Sequence, residues 1–298
     1  MSLPPTSVLI QVAIGGLLTG GVYALLVSGL TLIFGVMRVI NIAHGAFLVL
    51  SAYLAYWLFT LLGMDPIVSI AVLAPLFFVF GVLVQRYLIA RVRQEPGLLV
   101  LVTFALAITL EGVMGTLWRT TGRSVRTAYT GEVVPLALGD LTVRLPIVQL
   151  VGFAAAVIAL GVLYLLLTRS DLGRAIRATI QNPDAAQLVG VNVALVRALT
   201  FGAALASVAA GGAVFSLIWT FNASSHEAWI SKMLSIVVLG GMGSLPGALV
   251  GALIIGVAEA VAAVTITTYL SPIVSYLILF FILVFRPQGL LGSRIREA

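Results

Sequence analysis

The stretch TRSDLGRAIRATIQNPDAAQLVGVNVALVR, residues 168–197, decides the fold because it is a polar segment between two long apolar runs. The runs cover residues 146–167 and 198–219. Each has the roughly 20 residues that an α-helix needs to cross the hydrocarbon core of a bilayer. The polar segment itself carries four arginines, Arg169, Arg174, Arg177 and Arg197. The sequence therefore predicts a basic loop between two membrane-spanning helices.

The composition extends this interpretation to the whole chain. Its 298 residues are 61% hydrophobic and 9% charged, with a mean hydropathy of +1.19. Soluble domains have about 25% charged residues. The alternating segments of a closed barrel are not found, so the spans are helices that satisfy their own backbone hydrogen bonds. We predict an all-α polytopic membrane protein, one transmembrane domain over residues 1–298 with about eight or nine transmembrane helices.

The distribution of basic residues predicts the orientation. The segments at Arg38, 86–96, 169–197 and the C-terminal tail hold eleven of the 16 lysines and arginines, and residues 119–144 with Lys232 hold five. The positive-inside rule places the first set in the cytoplasm, with the N-terminus outside and the C-terminus inside. Residues 119–145 then form an external loop, whose Gly-Asp turn predicts a small β-hairpin. The net charge of +6 fits anionic lipid better than nucleic acid.

Successive capping residues predict order within the 169–197 loop. Arg174, Arg177 and Gln181 recur at helical spacing and give one helix a polar face. Asn182 and Pro183 are a typical start for a second short helix, which Gly190 can end. We predict two short helices along the cytoplasmic surface that contact a soluble partner. The alternative is a solvated basic loop that only fixes the topology.

A glycine cluster predicts a broken helix near residues 240–247. The run GGMGSLPG interrupts an otherwise apolar segment. Irregular backbone at membrane depth is tolerated only where it is buried in protein or lines a cavity. We expect the pathway or a hinge here, in residues that share this break: Gly240, Gly241, Gly243, Ser244 and Gly247. Close helix packing alone is the alternative explanation.

Polar side chains inside or beside predicted spans are further candidates, because ionisable groups in lipid are costly and often functional. Asn41 fits the N-cap of the second span, and His44 opens that span. Glu259 lies deep in its span, where it is either a pathway residue or a satisfied interior group. Glu111 lies closer to a predicted membrane edge, and its role is left open. No buried basic partner is expected for either acid.

The residue types exclude several classes of protein. A P-loop needs Gly-Lys-Ser/Thr, but the one lysine, Lys232, lies in Ile-Ser-Lys-Met. HExxH and GxSxG motifs are missing, and two histidines without cysteine cannot form a His/Cys metal cage. We expect no catalytic residues, no metal and no cofactor bound by this chain. Transport is the favoured function, by an ion-coupled carrier or by a permease that a separate ATPase drives. A scaffold without transport is a third class.

Several pieces of the sequence occur together in one family. They are GGLLTGGVYALLVSGLTLIFGV (15–36), INIAHGAF (40–47), GRAIRATIQNPDAAQLVGVN (173–192), VLGGMGSLPGALVGA (238–252), GVAEA (256–260) and RPQGLLG (286–292). In order and spacing the chain resembles, over essentially its whole length, the permease subunits of branched-chain amino acid ABC importers of the high-affinity LivH type.

The resemblance implies partners, location and cargo. The partners would be a second permease, identical or homologous, two cytoplasmic ATPase subunits that use the ATP, and a periplasmic substrate-binding protein, all at a bacterial inner membrane. Residues 173–190 would dock into the ATPase. The cargo would be leucine, isoleucine or valine, although close relatives carry urea, amides or other amino acids. At Glu111 the family pattern leads us to expect a neutral polar residue, so no role is carried over to it.

Overall fold

A computed structural model describes residues 5–92, 95–138, 141–268, 270–286 and 288–292. Within these ranges the chain forms eleven α-helices and one antiparallel hairpin. In chain order they are α1 (Thr6–Met37), α2 (His44–Leu62), α3 (Pro66–Tyr87), α4 (Pro96–Trp118), β1 (Val133–Leu138), β2 (Leu141–Pro146), α5 (Ile147–Arg169), α6 (Asp171–Gln181), α7 (Pro183–Leu188), α8 (Val193–Ile218), α9 (Ser225–Gly240), α10 (Leu245–Thr265) and α11 (Ser271–Phe285).

The lengths and compositions of the helices confirm an all-α polytopic membrane protein. Among the described residues, α1 to α5, α8 and α10 are the seven helices long and apolar enough to cross a bilayer. The remaining two candidates, α9 and α11, have 16 and 15 residues. Both are shorter than the roughly 20 residues of a full crossing. A count of eight or nine spans therefore depends on how these two helices sit in the membrane.

Helices α1 and α8 form the centre of the bundle, and glycines let their neighbours approach closely. A methyl group at Gly16 of α1 would lie 2.8 Å from the backbone oxygen of Gly256 in α10. One at Gly202 of α8 would lie 2.8 Å from the backbone oxygen of Phe78 in α3. These contacts are the small-residue packing that stabilises helix pairs in lipid. By contrast, α3, α4 and α5 turn most of their surface outward.

The segments predicted to share the cytoplasmic side do lie together at one end of the bundle, the basic end. Arg38, Ile89 and Arg197 line one cavity of about 250 Å³ there, which joins the end of α1, the turn after α3 and the start of α8. Gly35 of α1 lies between Ile180 of α6 and Gly243. Three of the arginines counted for this side, Arg93, Arg294 and Arg296, lie outside the described residues.

The opposite end of the bundle, the hairpin end, holds the predicted external loop. The hairpin is confirmed, with Val133 opposite Pro146 and Leu136 opposite Val143. The Tyr129 hydroxyl donates to Asp65 Oδ2 at 2.9 Å, and burial raises the pKa of Tyr129 to about 12, so the proton stays in place at neutral pH. Lys232, counted with this side in the sequence, instead lies inside the bundle on α9.

The predicted helix break is confirmed between α9 and α10. The chain turns through Gly241 and Gly243, with φ of 104° and 84°, values that favour glycine. Ser244 Oγ accepts from the Gly247 amide at 3.1 Å and caps α10. A methyl group at Gly247 would lie 2.1 Å from the Gly240 oxygen, so the two helix ends touch backbone to backbone.

This contact predicts that Gly247→Ala destabilises the protein. The added methyl group must push α10 away from Gly240, which costs about 1–3 kcal/mol in a packed interior. The expected result is a lower thermal unfolding midpoint for the purified protein in detergent. Gly112→Ala in α4 is the matched control, because a methyl group there meets nothing within 4 Å. Equal midpoints for the two variants would contradict the packing described here.

Candidate functional site

The two short helices predicted in the 169–197 loop are confirmed as α6 and α7, each held by side-chain caps. Ser170 Oγ accepts from the Gly173 amide at 2.9 Å at the start of α6. Asn182 Oδ1 accepts from the Asp184 and Ala185 amides, both at 3.0 Å, and caps α7. Gly190, with φ of 88°, follows the end of α7 as predicted. The loop is therefore a folded element.

The predicted polar face of α6 is also confirmed, because Arg174, Arg177 and Gln181 are all exposed. The two arginines differ in their contacts. Arg174 pairs with Asp171 on the surface of the same helix. Arg177 donates to the Leu167 carbonyl at the end of α5, so it ties α6 to the membrane helix before it. Arg177 is thus a structural residue, and Arg174 the freer surface charge.

An apolar tip projects from this element at the basic end. Leu188 and Val189 are 89% and 79% exposed, higher than the other exposed large hydrophobic residues of the described chain. Leu188 is the last residue of α7 and Val189 follows it, just before Gly190. Two adjacent apolar side chains held outward on a capped helix are typical of a surface that a partner covers. The helical spacing of the arginines predicted this surface, but no sequence pattern indicated the apolar pair.

The C-terminal tail completes the glycine turn, a contact that the sequence analysis did not predict. The Leu290 and Leu291 amides donate to the Leu239 and Gly240 carbonyls at 2.8 and 3.0 Å. These carbonyls end α9 and lack partners within the helix. Positive φ angles at both Gly241 and Gly289 allow the two segments to pack tightly. The turn is therefore held from three sides, by α1, α10 and the tail.

Asn41 and His44 are buried, but not in the arrangement that the sequence predicted. Asn41 is not the N-cap of α2: the helix begins at His44, after Ala43, and no side chain caps it. The Asn41 side chain is 1% exposed, and neither of its amide atoms has a hydrogen-bond partner. Thr103 of α4 supports this turn instead, since its Oγ1 accepts from the Ile42 amide at 3.2 Å. His44 Nε2 lies 3.1 Å from the Leu26 carbonyl of α1.

Glu259 has the buried basic partner that the sequence analysis did not expect. Lys232 Nζ donates to Glu259 Oε2 at 3.0 Å, and both side chains are largely enclosed. The Tyr23 hydroxyl donates to the same oxygen at 2.9 Å, while Ser275 donates to Oε1. The carboxylate therefore joins four helices, α1, α9, α10 and α11. Lys232 and Glu259 are 27 positions apart on separate helices, so their sequence spacing gave no indication of the pair.

Aromatic rings enclose the lysine. Its Nζ lies 4.8 Å from the ring centroid of Trp229 and 5.0 Å from that of Tyr23. Trp219 stacks on Tyr23 and packs against Trp229, with centroids 5.8 and 4.9 Å away. Ring faces attract an ammonium group, most strongly where water is scarce. The charge of Lys232 is thus satisfied by one carboxylate, one hydroxyl and two ring faces.

Glu111 also has a partner. His226 Nε2 lies 3.0 Å from Glu111 Oε2 and links α9 to α4 near the hairpin end. Together with Glu227, these residues place three atoms able to bind a metal within 4.8 Å of one another. Because Glu111 and His226 are 115 positions apart, their proximity could not be read from the sequence. His226 Nε2 is engaged by Glu111, whereas His226 Nδ1 is buried without a hydrogen-bond partner.

Comparison with known proteins places the chain in a family. Residues 12–284 match the family model described as branched-chain amino acid transport system / permease component. The chain belongs to this permease family. It is 32% identical to the high-affinity branched-chain amino acid transport system permease protein BraD of Pseudomonas aeruginosa, over 95% of both chains. It is 29% identical to the corresponding protein LivH of Escherichia coli, over 80% of this chain and 81% of that one.

A more distant relative comes from an archaeon. The probable branched-chain amino acid transport permease protein LivH of Methanocaldococcus jannaschii is 27% identical over 78% of this permease and 75% of its own length. No solved structure matches the chain. The family resemblance predicted from the sequence motifs is confirmed.

The ion pair inside this permease predicts an unequal effect of single and double substitutions. Lys232→Met or Glu259→Gln alone leaves the other charge buried without its partner, which costs about 3–5 kcal/mol. Replacing both together removes that penalty and is often neutral or stabilising. We expect low thermal midpoints for the single variants and a near wild-type midpoint for the double variant. Additive losses in the double variant would show that the two side chains do not interact.

Proposed function

We propose that the chain is the membrane-spanning permease subunit of an ABC importer that translocates branched-chain amino acids. The observation that carries this proposal is the match of residues 12–284 to a permease family, together with relatives whose names specify branched-chain amino acid transport. ATP is hydrolysed by separate subunits and not by this chain. In support, the one lysine, Lys232, lies in Ile-Ser-Lys-Met rather than Gly-Lys-Ser/Thr and is enclosed by Glu259, Tyr23 and Trp229.

The α6–α7 element is the proposed contact with the ATPase. It is capped at each helix start, tied to α5 by Arg177, and ends in the exposed pair Leu188 and Val189. A rigid element of this kind can transmit a displacement, whereas a flexible loop would absorb it. Arg174, Asn182, Pro183 and Gly190 position the tip or flank it. Binding of ATP and of the loaded receptor would each favour one conformation of the permease.

The basic end is the proposed cytoplasmic side of a bacterial inner membrane, with the N-terminus outside. Arg38, Arg197 and the α6–α7 arginines gather there, as the positive-inside rule requires of short loops. The outward faces of α3, α4 and α5 then contact lipid or a second permease subunit. A periplasmic binding protein would deliver the substrate to the hairpin end.

The proposed pathway or hinge combines the glycine turn with the polar groups beside it. Gly240, Gly241, Gly243, Ser244 and Gly247 give α9 and α10 a tight, non-helical joint. Asn41, His44 and Glu259 are buried polar groups within the same bundle. The unpartnered amide of Asn41 favours a role that appears only in another conformation, because such a group is costly when left unsatisfied.

Two alternatives differ from this proposal in cargo or in energy source. A permease of the same family for urea, amides or other small polar solutes would keep every feature described above. An ion-coupled carrier would need an acidic group that takes up and releases the ion, and in this structure Glu259 is paired with Lys232, Tyr23 and Ser275. Purified chain alone in proteoliposomes distinguishes the energy sources: we expect no leucine accumulation from a proton or sodium gradient. Gradient-driven accumulation would support the carrier and contradict the ABC proposal.

The apolar tip gives the sharpest test of ATPase coupling. Leu188→Asp with Val189→Asp places two charges on side chains that contact little of the permease itself, so membrane insertion and folding should be unchanged. If an ATPase covers the tip, co-purification of that subunit and substrate-stimulated hydrolysis should each fall by at least about tenfold, as expected for a central apolar contact. Normal co-purification would remove the docking assignment.

A matched control pair lies at the other end of the molecule. Leu61 and Leu62 are 73% and 68% exposed at the end of α2, and their change to aspartate should leave ATPase co-purification unchanged. A third variant, Arg174→Glu, tests the surface charge alone. Arg177→Glu is a poorer probe, because it would also break the contact of α6 with Leu167.

A further inference from the structure

A polar stripe runs along α9, a helix that packs within the membrane bundle. Ser224 at the start of the helix and then Glu227 and Ser231 are exposed, at the spacing of one helix face. Charged and hydroxyl side chains are costly against lipid. Such a face is stable where it meets water, lipid headgroups or a second subunit.

The Lys232–Glu259 pair lies beside this stripe, because Lys232 follows Ser231 in the chain and sits about 100° around the helix from it. The side chains of the pair are 14% and 10% exposed, so the pair is enclosed but not sealed. The residues that cover it differ on its two sides. Tyr23 and Ser275 hold the carboxylate from α1 and α11, whereas the ammonium group faces the rings of Tyr23 and Trp229.

An apolar space adjoins the lysine. It is lined by Leu26, Met233, Ile236 and the two aromatic rings. It is too narrow in this structure to admit a water molecule. A cation, an anion and an aliphatic space thus lie side by side, in a form that is closed.

We propose that Lys232 and Glu259 bind the two charges of a zwitterionic aliphatic amino acid as it passes through the permease. This inference rests on the proposed function and specifies its substrate class. Lys232 receives the α-carboxylate, Glu259 receives the α-ammonium group, and the side chain enters the space beside Leu26 and Met233. Between transport events the two residues satisfy each other.

Electrostatics makes such an exchange favourable. A zwitterion that leaves water loses the solvation of two charges, and these need partners in a medium of low dielectric constant. The pair supplies one partner for each charge, and the zwitterion in turn keeps both residues paired. The net charge of the site is zero before and after binding. A neutral urea or amide carries no full charges to separate the pair, so this site favours an amino acid over those alternative cargoes.

Binding requires α9 to move away from α1. The glycine turn at the end of α9 is the joint proposed for this movement, because glycine has access to backbone conformations that other residues lack. The site is therefore open in one conformation of the transport cycle and closed in the other. This provides a weak, transient site, as transport demands, because the pair re-forms when the substrate leaves.

The test uses the complete transporter in proteoliposomes, with loaded binding protein and ATP. The double variant Lys232→Met, Glu259→Gln removes both charges while it avoids an unpaired one. We expect it to assemble and to hydrolyse ATP in response to loaded binding protein, while leucine imported per ATP falls by at least about tenfold, the effect of losing one charge-assisted contact. Double substitution of Glu111 and His226 by glutamine removes another paired carboxylate, the one that links α4 to α9, and should leave that ratio unchanged.

A binding measurement on the wild-type transporter does not depend on the folding of any variant. Millimolar L-leucine should produce a saturable change in tryptophan fluorescence, in at least one nucleotide state, that Trp229→Phe abolishes. Isoamylamine has only the ammonium group and 4-methylpentanoate only the carboxylate, so neither should reproduce the change. No saturable change with leucine, or equal changes with the two analogues, would overturn the proposal.

The outcomes separate this inference from the proposed function. Wild-type import ratios in the double variant would show that the pair only fastens helices, while the importer assignment would stand. Failure of the wild-type assembly to couple ATP hydrolysis to amino acid uptake would instead refute the importer, and the fluorescence measurement would still decide whether the pair binds a zwitterion.

Discussion

Lys232 Nζ and Glu259 Oε2 lie 3.0 Å apart inside the helix bundle, where both side chains are largely shielded from solvent. In this setting neither charge is tolerable alone, so the positions of α9 and α10 are coupled, and Tyr23 and Ser275 extend the coupling to α1 and α11. The requirement that each buried charge keep a partner fixes the relative placement of these four helices. It also defines what can replace the pair during transport: a ligand that carries both charges itself.

Close backbone contact complements this ion pair. In lipid, helix association gains little from the hydrophobic effect, so it relies on packing between small residues. Gly16 faces Gly256, and Gly240 faces Gly247. At both contacts α10 packs so closely against its neighbour, α1 or α9, that no space is left for an added methyl group. The same glycines leave a non-helical joint next to the basic end, where the tail residues Leu290 and Leu291 bind the last carbonyls of α9. Glycine thus accounts both for the close packing of the helices and for the non-helical turn between α9 and α10.

The glycine turn connects the α6–α7 element to the helix that carries Lys232. Ile180 of α6 and Gly243 both lie against Gly35 at the end of α1. A displacement of α6 therefore acts on the same backbone that supports the glycine turn, and the turn ends the helix that carries Lys232. This continuous set of contacts supports the proposed transmission from the basic end to the interior of the bundle.

Local features of this protein were determined by its sequence. Apolar runs of membrane-spanning length, the Asn182-Pro183 cap, the glycine break at 240–247 and the hairpin within the 119–145 loop each depend on neighbouring residues, and the structure has all of them. Only the tertiary structure decided which distant residues meet. The pairs of Lys232 with Glu259 and of His226 with Glu111, the docking of the tail on α9, the loss of Asn41 as a cap and the outward direction of Leu188 all depend on helix packing. The physical reason is that helix periodicity specifies a face, whereas the partner of that face is selected by close packing and by the need to neutralise charge in lipid.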